Sequence, residues 1–143
     1  MIDYDAVVAG FRSEQRPRRL RDEPAPRAKH HRVLSVDDHL VEPPDLFAGR
    51  LASRFAERTP RVERGDDGAD YWVFEDQRVG LPTTDAHQSW EHEDWTVNVV
   101  NFDEIRPGTW QVDRRVHDMD LAGIDASVCF PSTLFGFAGQ RFM

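Results

Sequence analysis

The stretch Val33-Leu34-Ser35-Val36-Asp37-Asp38-His39-Leu40-Val41-Glu42-Pro43-Pro44 constrains this chain more than any other. A brief β-branched and aliphatic run reads as a buried strand. It ends in an Asp-Xaa-His triplet, and Glu-Pro-Pro then stops regular structure. Asp37 and His39 are two apart, so on an extended backbone both side chains point to the same side. A carboxylate and an imidazole so placed can hold one divalent ion. The alternative is an Asp that caps a turn and a His that fills the strand end. Asp38 lies between them and faces the other way, in a structural or supporting role. Glu42 either lines the mouth of a site or anchors the turn.

The rest of the chain supplies few regular elements. Residues 1–31 read as an extension. Tyr4 to Phe11 has the spacing of a short amphipathic helix. Arg16 to Lys29 is rich in Arg and Pro, as in a solvated linker or an arm that wraps a partner subunit. Arg32 to Val36 is the first core strand. A short helix is expected from Asp45, with Leu46, Phe47, Leu51 and Phe55 on one face. Gly65-Asp66-Asp67-Gly68 is a turn, and Tyr71 to Leu81 reads as a β-hairpin about Asp76-Gln77. Pro82 to Pro107 is irregular, and a structureless loop of that length is unusual. Thr109 to Ala122 reads as a helix with Trp110, Val112, Val116, Met119 and Leu121 as apolar positions, stopped by Gly123. Ile124 to Phe130 is a second core strand, ended by Pro131. The four tryptophans and Cys129 read as packing residues, and His30 and His31 as solvent-facing.

The skeleton is thus strand, long excursion, helix, strand, the order of a βαβ unit. A two-stranded parallel unit cannot bury its own faces, and the apolar tail Leu134 to Met143 adds to the impression of an unfinished structure. At 143 residues the chain is also too short for a complete α/β barrel of about 250. The formal net charge of -8 argues against nucleic acid or an anionic membrane as partner. No apolar run approaches the roughly 20 residues of a membrane span. One cysteine excludes an internal disulfide. These features point to a cytoplasmic protein.

Two motifs carry a resemblance. Val33 to Pro44 resembles the opening strand of the amidohydrolase-related family that includes aminocarboxymuconate semialdehyde decarboxylase, where Asp-Xaa-His or His-Xaa-His leads into Glu-Pro. Arg115-Val116-His117-Asp118-Met119-Asp120-Leu121-Ala122-Gly123-Ile124-Asp125-Ala126 resembles that family's helix-to-strand junction, and Phe130-Pro131-Ser132 the end of its second strand. The resemblance covers residues 32–143. It implies an α/β fold, the N-terminal part of a (β/α)8 TIM-like barrel: two parallel strands, an inserted hairpin and helices. It implies a divalent metal, zinc foremost or manganese, with Asp37 and His39 as first-strand ligands. A further His and Asp would come from a separately encoded chain that supplies the remaining strands. His87, His92 and His117 do not match those positions. Asp118 and Asp120 read as capping or pairing around the helix terminus, where Arg115 could pair with either. The implied chemistry is hydrolysis of a small organic substrate by a metal-activated water, or non-oxidative decarboxylation of a small carboxylic acid. A non-catalytic interaction subunit is the alternative from another class. No catalytic residue is assigned.

Overall fold

The computed structural model describes residues 19–26, 28–81, 89–95 and 100–132. The Tyr4 to Phe11 helix, His87 and the tail from Leu134 lie outside the described residues.

Strand β1 spans Leu34–Leu40, β2 Arg61–Arg64, β3 Asp70–Phe74, β4 Gln77–Gly80 and β5 Ala126–Pro131. One α-helix, α1, spans Val112–Ala122, and short 3-10 turns cover Ser53–Arg58, His92–Asp94 and Pro107–Thr109. The strands form two separate sheets: a parallel pair β1-β5 and an antiparallel sheet in the order β2-β3-β4.

This overturns the barrel expectation. A small domain with one two-stranded parallel sheet, one three-stranded antiparallel sheet and, among the described residues, one helix of any length is not part of a (β/α)8 barrel. The apolar residues do not make the parallel pair a core. Leu34, Val36 and Val128 are exposed on the strands, and Val112 and Val116 on α1, which buries no residue at all. A barrel strand would have buried them on both sides.

The core lies instead on the antiparallel sheet. Along β3, Asp70 and Trp72 are buried while Tyr71 and Val73 are partly open, the alternation of a sheet with one covered face. Trp72 stands opposite Val62 of β2 and Val79 of β4, giving an apolar cross-strand row. Phe47 meets the Trp72 ring edge-on at 6.1 Å. Trp90, Val100, Phe102 and Ile105 close the other side with Val41 and Leu81. The described parts of the 82–107 stretch are therefore core-forming and not a surface loop. The Trp90 indole donates to the Glu104 carbonyl at 2.8 Å, and the Asp70 amide donates to Val100 at 3.0 Å.

The hairpin forms between β3 and β4 through Glu75-Asp76, with Glu75 at φ 52. The helix expected from Asp45 does not form. Turns occupy 45–50, with Gly49 at φ 67, and only the 3-10 turn Ser53–Arg58 follows. Pro43 and Pro44 restrict the entry, and Gly49 in the left-handed region breaks the repeat. Helix α1 starts three residues later than expected, after the Pro107–Thr109 turn. It ends as expected on Gly123, at φ 75 and ψ 22, whose amide reaches Asp120 and Met119.

Helix α1 is tethered by ions. Arg106 donates through Nε and Nη2 to the two Asp118 oxygens at 2.7 and 2.5 Å. Gly108 permits this approach: a Cβ there would lie 1.9 Å from Asp118 Oδ2. The arm residues 19–26 are exposed but are pinned to their own chain. The Arg19 amide donates to Asp94 Oδ2 at 3.2 Å and the Arg21 amide to the Ser89 carbonyl at 2.6 Å. No helix among the described residues is long and apolar enough to cross a membrane.

Candidate functional site

Strand β1 runs further than expected, so Asp37, Asp38 and His39 all lie within it and not beyond its end. Its register with β5 pairs Ser35 with Ser127 and Asp38 with Cys129. Three residues on β1 thus span two on β5, and one extra residue makes a bulge at Val36-Asp37. The bulge resets the alternation. Ser35 and Asp38, three apart, are now joined by a side-chain hydrogen bond, and Ser127, opposite Ser35, also reaches Asp38. Asp37 and His39 emerge together, with Asp37 Oδ1 3.8 Å from His39 Nε2.

Asp37 is 81% exposed and His39 44%. The His39 ring leans toward Phe130 with 6.2 Å between centroids. Donors bound to one tetrahedral zinc at about 2.0–2.2 Å sit roughly 3.4 Å apart. The observed 3.8 Å is within a small side-chain rotation of that spacing. The two residues therefore fit a shared divalent ion as a pair of neighbouring ligands. Among the described residues, no group of three or more His, Cys, Asp or Glu side chains converges to hold a metal. Glu42 does not extend the pair. It is buried at 2% exposure beside Val41, whose amide donates to the Thr109 carbonyl at 2.9 Å. That places Glu42 at the junction of β1 with the antiparallel core.

Beneath the pair is a polar clamp. Arg115 of α1 holds Asp38 Oδ2 through Nη2 at 3.1 Å and donates through Nη1 to the His39 carbonyl at 3.4 Å. The Ser127 hydroxyl donates to Asp38 Oδ2 and lies 3.3 Å from Cys129 Sγ. The Ser127 hydroxyl above all, then Ser35 and the Arg115 guanidinium, hold the Asp38 carboxyl below the usual range, against the opposing effect of burial. Arg115 thus pairs across to β1 and not, as expected, with Asp118 or Asp120. Asp118 takes Arg106, and Asp120 approaches Lys29 at 3.7 Å. Ser35, Ser127 and Arg115 escaped the sequence reading as members of this site. Alternation places Ser127 and Cys129 on one face of β5, but only the bulged register shows that Asp38 shares it.

His92 stacks on Trp95 at 4.5 Å, and His117 contacts Glu23, so neither joins the pair. No family model matches the chain, and no curated protein matches it.

Proposed function

We propose that this chain supplies part of a divalent-metal site in a metal-dependent hydrolase related to the amidohydrolases, with Asp37 and His39 as ligands. A second, separately encoded chain supplies the remaining ligands. The observation that carries this reading is the Asp37–His39 pair itself: two donors 3.8 Å apart on an exposed strand face with no third ligand among the described residues. The two sequence motifs add support. Zinc is the leading ion and manganese the next, because one carboxylate and one imidazole suit either. The ion would polarise a carbonyl or activate water for hydrolysis of a small organic substrate. Asp37 and His39 hold the ion, and Asp38 with Arg115 keeps the strand in the register that presents them. Decarboxylation of a small carboxylic acid needs the same platform and is the second reading. The net negative charge and the single cysteine accord with a cytoplasmic setting.

The bare residues Leu34, Val36 and Val128 favour a different class, a non-catalytic interaction subunit. Metal content separates the two. The assembly is isolated from its native cells through a tag on this chain, and its metal is measured by mass spectrometry. A stoichiometric divalent ion is expected, lost together with activity in Asp37→Asn and His39→Asn. An assembly that keeps full metal and activity in both variants overturns the proposal.

A further inference from the structure

Residues 19–26, with 28 and 29, lie against the chain as a strap, and their contacts differ in chemistry. Arg19 meets Glu93 at 3.8 Å, Arg21 meets Glu91 at 3.2 Å, and Lys29 meets Asp125 at 3.5 Å and Asp120 at 3.7 Å. These are carboxylates with Arg or Lys, and they keep their charges throughout the neutral range. Glu23 is the exception. One of its oxygens meets Arg106 Nη2 at 3.3 Å and the other meets His117 Nε2 at 3.1 Å. Imidazole is the side chain that ordinarily changes charge between pH 5 and 8.

We infer that Glu23 and His117 form a pH-sensitive clasp that fastens the strap to α1 in mildly acidic conditions and loosens it as His117 loses its proton. Protonated His117 and ionised Glu23 are an ion pair joined by a hydrogen bond, and neutral His117 leaves the weaker hydrogen bond alone. The groups that face His117 are Glu23 on the strap and, through Glu23, Arg106 with Asp118 behind it. On α1 itself, Asp113, Arg114 and Asp120 lie about one turn away. Arg106 stays charged and holds Glu23 wherever Glu23 is ionised, so loss of the His117 proton modulates the strap without releasing it outright. The lower edge of the window is set by Glu23. Its carboxyl is held below the usual range by the His117 hydrogen bond first, and by the charges of His117 and Arg106. The clasp is therefore tightest in mildly acidic solution above that edge, and it loosens once the imidazole is neutral.

The strap carries its own reporters, the Arg19 and Arg21 amides bonded to Asp94 and Ser89. Hydrogen exchange of the full chain, corrected for intrinsic rates, is measured at pH 5.5 and pH 8.0. The pair is about half exposed on each side, so the effect is of surface size, roughly two- to five-fold in protection. Wild-type protection over 19–26 should fall by that factor at pH 8.0, with the β3–β4 amides unchanged. His117→Gln should be loosened at pH 5.5 and lose the pH dependence, whereas Glu23→Gln should be looser at both values. His92, stacked beside the Asp94 contact, is the competing imidazole, and His92→Gln should keep the wild-type response. Wild-type protection that does not change with pH overturns the clasp, as does a response that survives in His117→Gln.

Discussion

Gly108→Ala is the sharpest test of how α1 is held. The backbone at Gly108 lies outside the left-handed region, so alanine is compatible with it, and in the folded state the substitution acts through space. Its Cβ would stand 1.9 Å from Asp118 Oδ2, 2.7 Å from Asp118 Cγ and 3.3 Å from the Arg114 carbonyl oxygen. The carboxylate must leave. With it goes the two-pronged contact to Arg106, whose side chain is only 12% exposed against 25% for Asp118. Removing one partner of a fully buried pair costs about 3–5 kcal/mol, and an exposed pair is worth under about 1. For this partly buried, bidentate pair we expect about 2–3 kcal/mol. In an Asp118→Ala background the obstructing oxygens are gone, and the Arg114 carbonyl asks for a shift of a few tenths of an ångström. There Gly108→Ala should cost less than about 0.5 kcal/mol, offset by the roughly 0.4–1 kcal/mol that Gly→Ala contributes by restricting the unfolded chain. The double-mutant cycle should therefore show a coupling of about 2 kcal/mol. Urea unfolding followed by tryptophan fluorescence measures it. Equal costs of Gly108→Ala in the two backgrounds would refute the argument that Gly108 exists to admit Asp118.

Two further outcomes follow from the polar networks. Asp38→Asn should lower stability at pH 7 by about 1–2 kcal/mol and flatten the acid limb. The folded-state pKa of Asp38 is depressed, so its contribution is full above the ordinary aspartate value of about 3.9 and vanishes as pH falls through the lower folded value. The gap in urea midpoint between wild type and Asp38→Asn should thus close on going from pH 7 to the strongly acidic range, and a constant gap would contradict the clamp. Asp70 is 4% exposed, accepts the buried Phe102 amide at 2.9 Å and takes Arg64 Nη2 at 3.1 Å. Asp70→Ala strands that amide and should cost about 2–4 kcal/mol in the same assay, whereas a loss under about 0.5 would mean that water satisfies Phe102.

What was legible in the sequence was local. The hairpin announced itself through alternating aromatic and β-branched residues around a polar turn. Gly123 marked the helix end because only a residue tolerant of positive φ closes a helix in that way. The two strands of the parallel pair were visible as apolar runs stopped by proline. What failed was non-local. Strand β2, Arg-Val-Glu-Arg, has one apolar residue, and it pairs through cross-strand contacts, Val62 against Trp72 and Arg64 on Asp70. Val112 and Val116 have helical spacing suited to a core, yet the core formed elsewhere and left them in solvent. Short motifs mark a strand–helix–strand order, but they do not fix which sheet collects the tryptophans. That Asp37 and His39 emerge on one side was legible, but the geometry around them was not. Two-residue spacing puts them on one side, while the bulge that turns Asp38 toward Ser127 and Arg115 depends on a strand that lies about ninety residues further along.

The division between the two sheets has a consequence for the site. Trp72, Trp90, Leu81 and Ile105 are almost wholly buried around the antiparallel sheet. Around β1 and β5, Leu34, Val36 and Val128 remain exposed, and α1 is attached through Arg106–Asp118 and Arg115–Asp38 with no buried residue of its own. Local stability follows buried apolar contact, so the parallel pair is the first part of the fold to open. The Asp37–His39 pair therefore sits on a strand with little apolar support, and the Arg115–Asp38 contact adds order to what packing supplies. If the pair holds an ion as proposed, each ligand on such an element would carry an ordering cost on binding. A surface that covered Leu34, Val36 and Val128 would remove part of that cost before the ion arrived, because it would stabilise the strand pair in its ligand-presenting register. On that proposal, metal affinity and the covering of the bare face would be linked: whatever tightened one would tighten the other by the same factor.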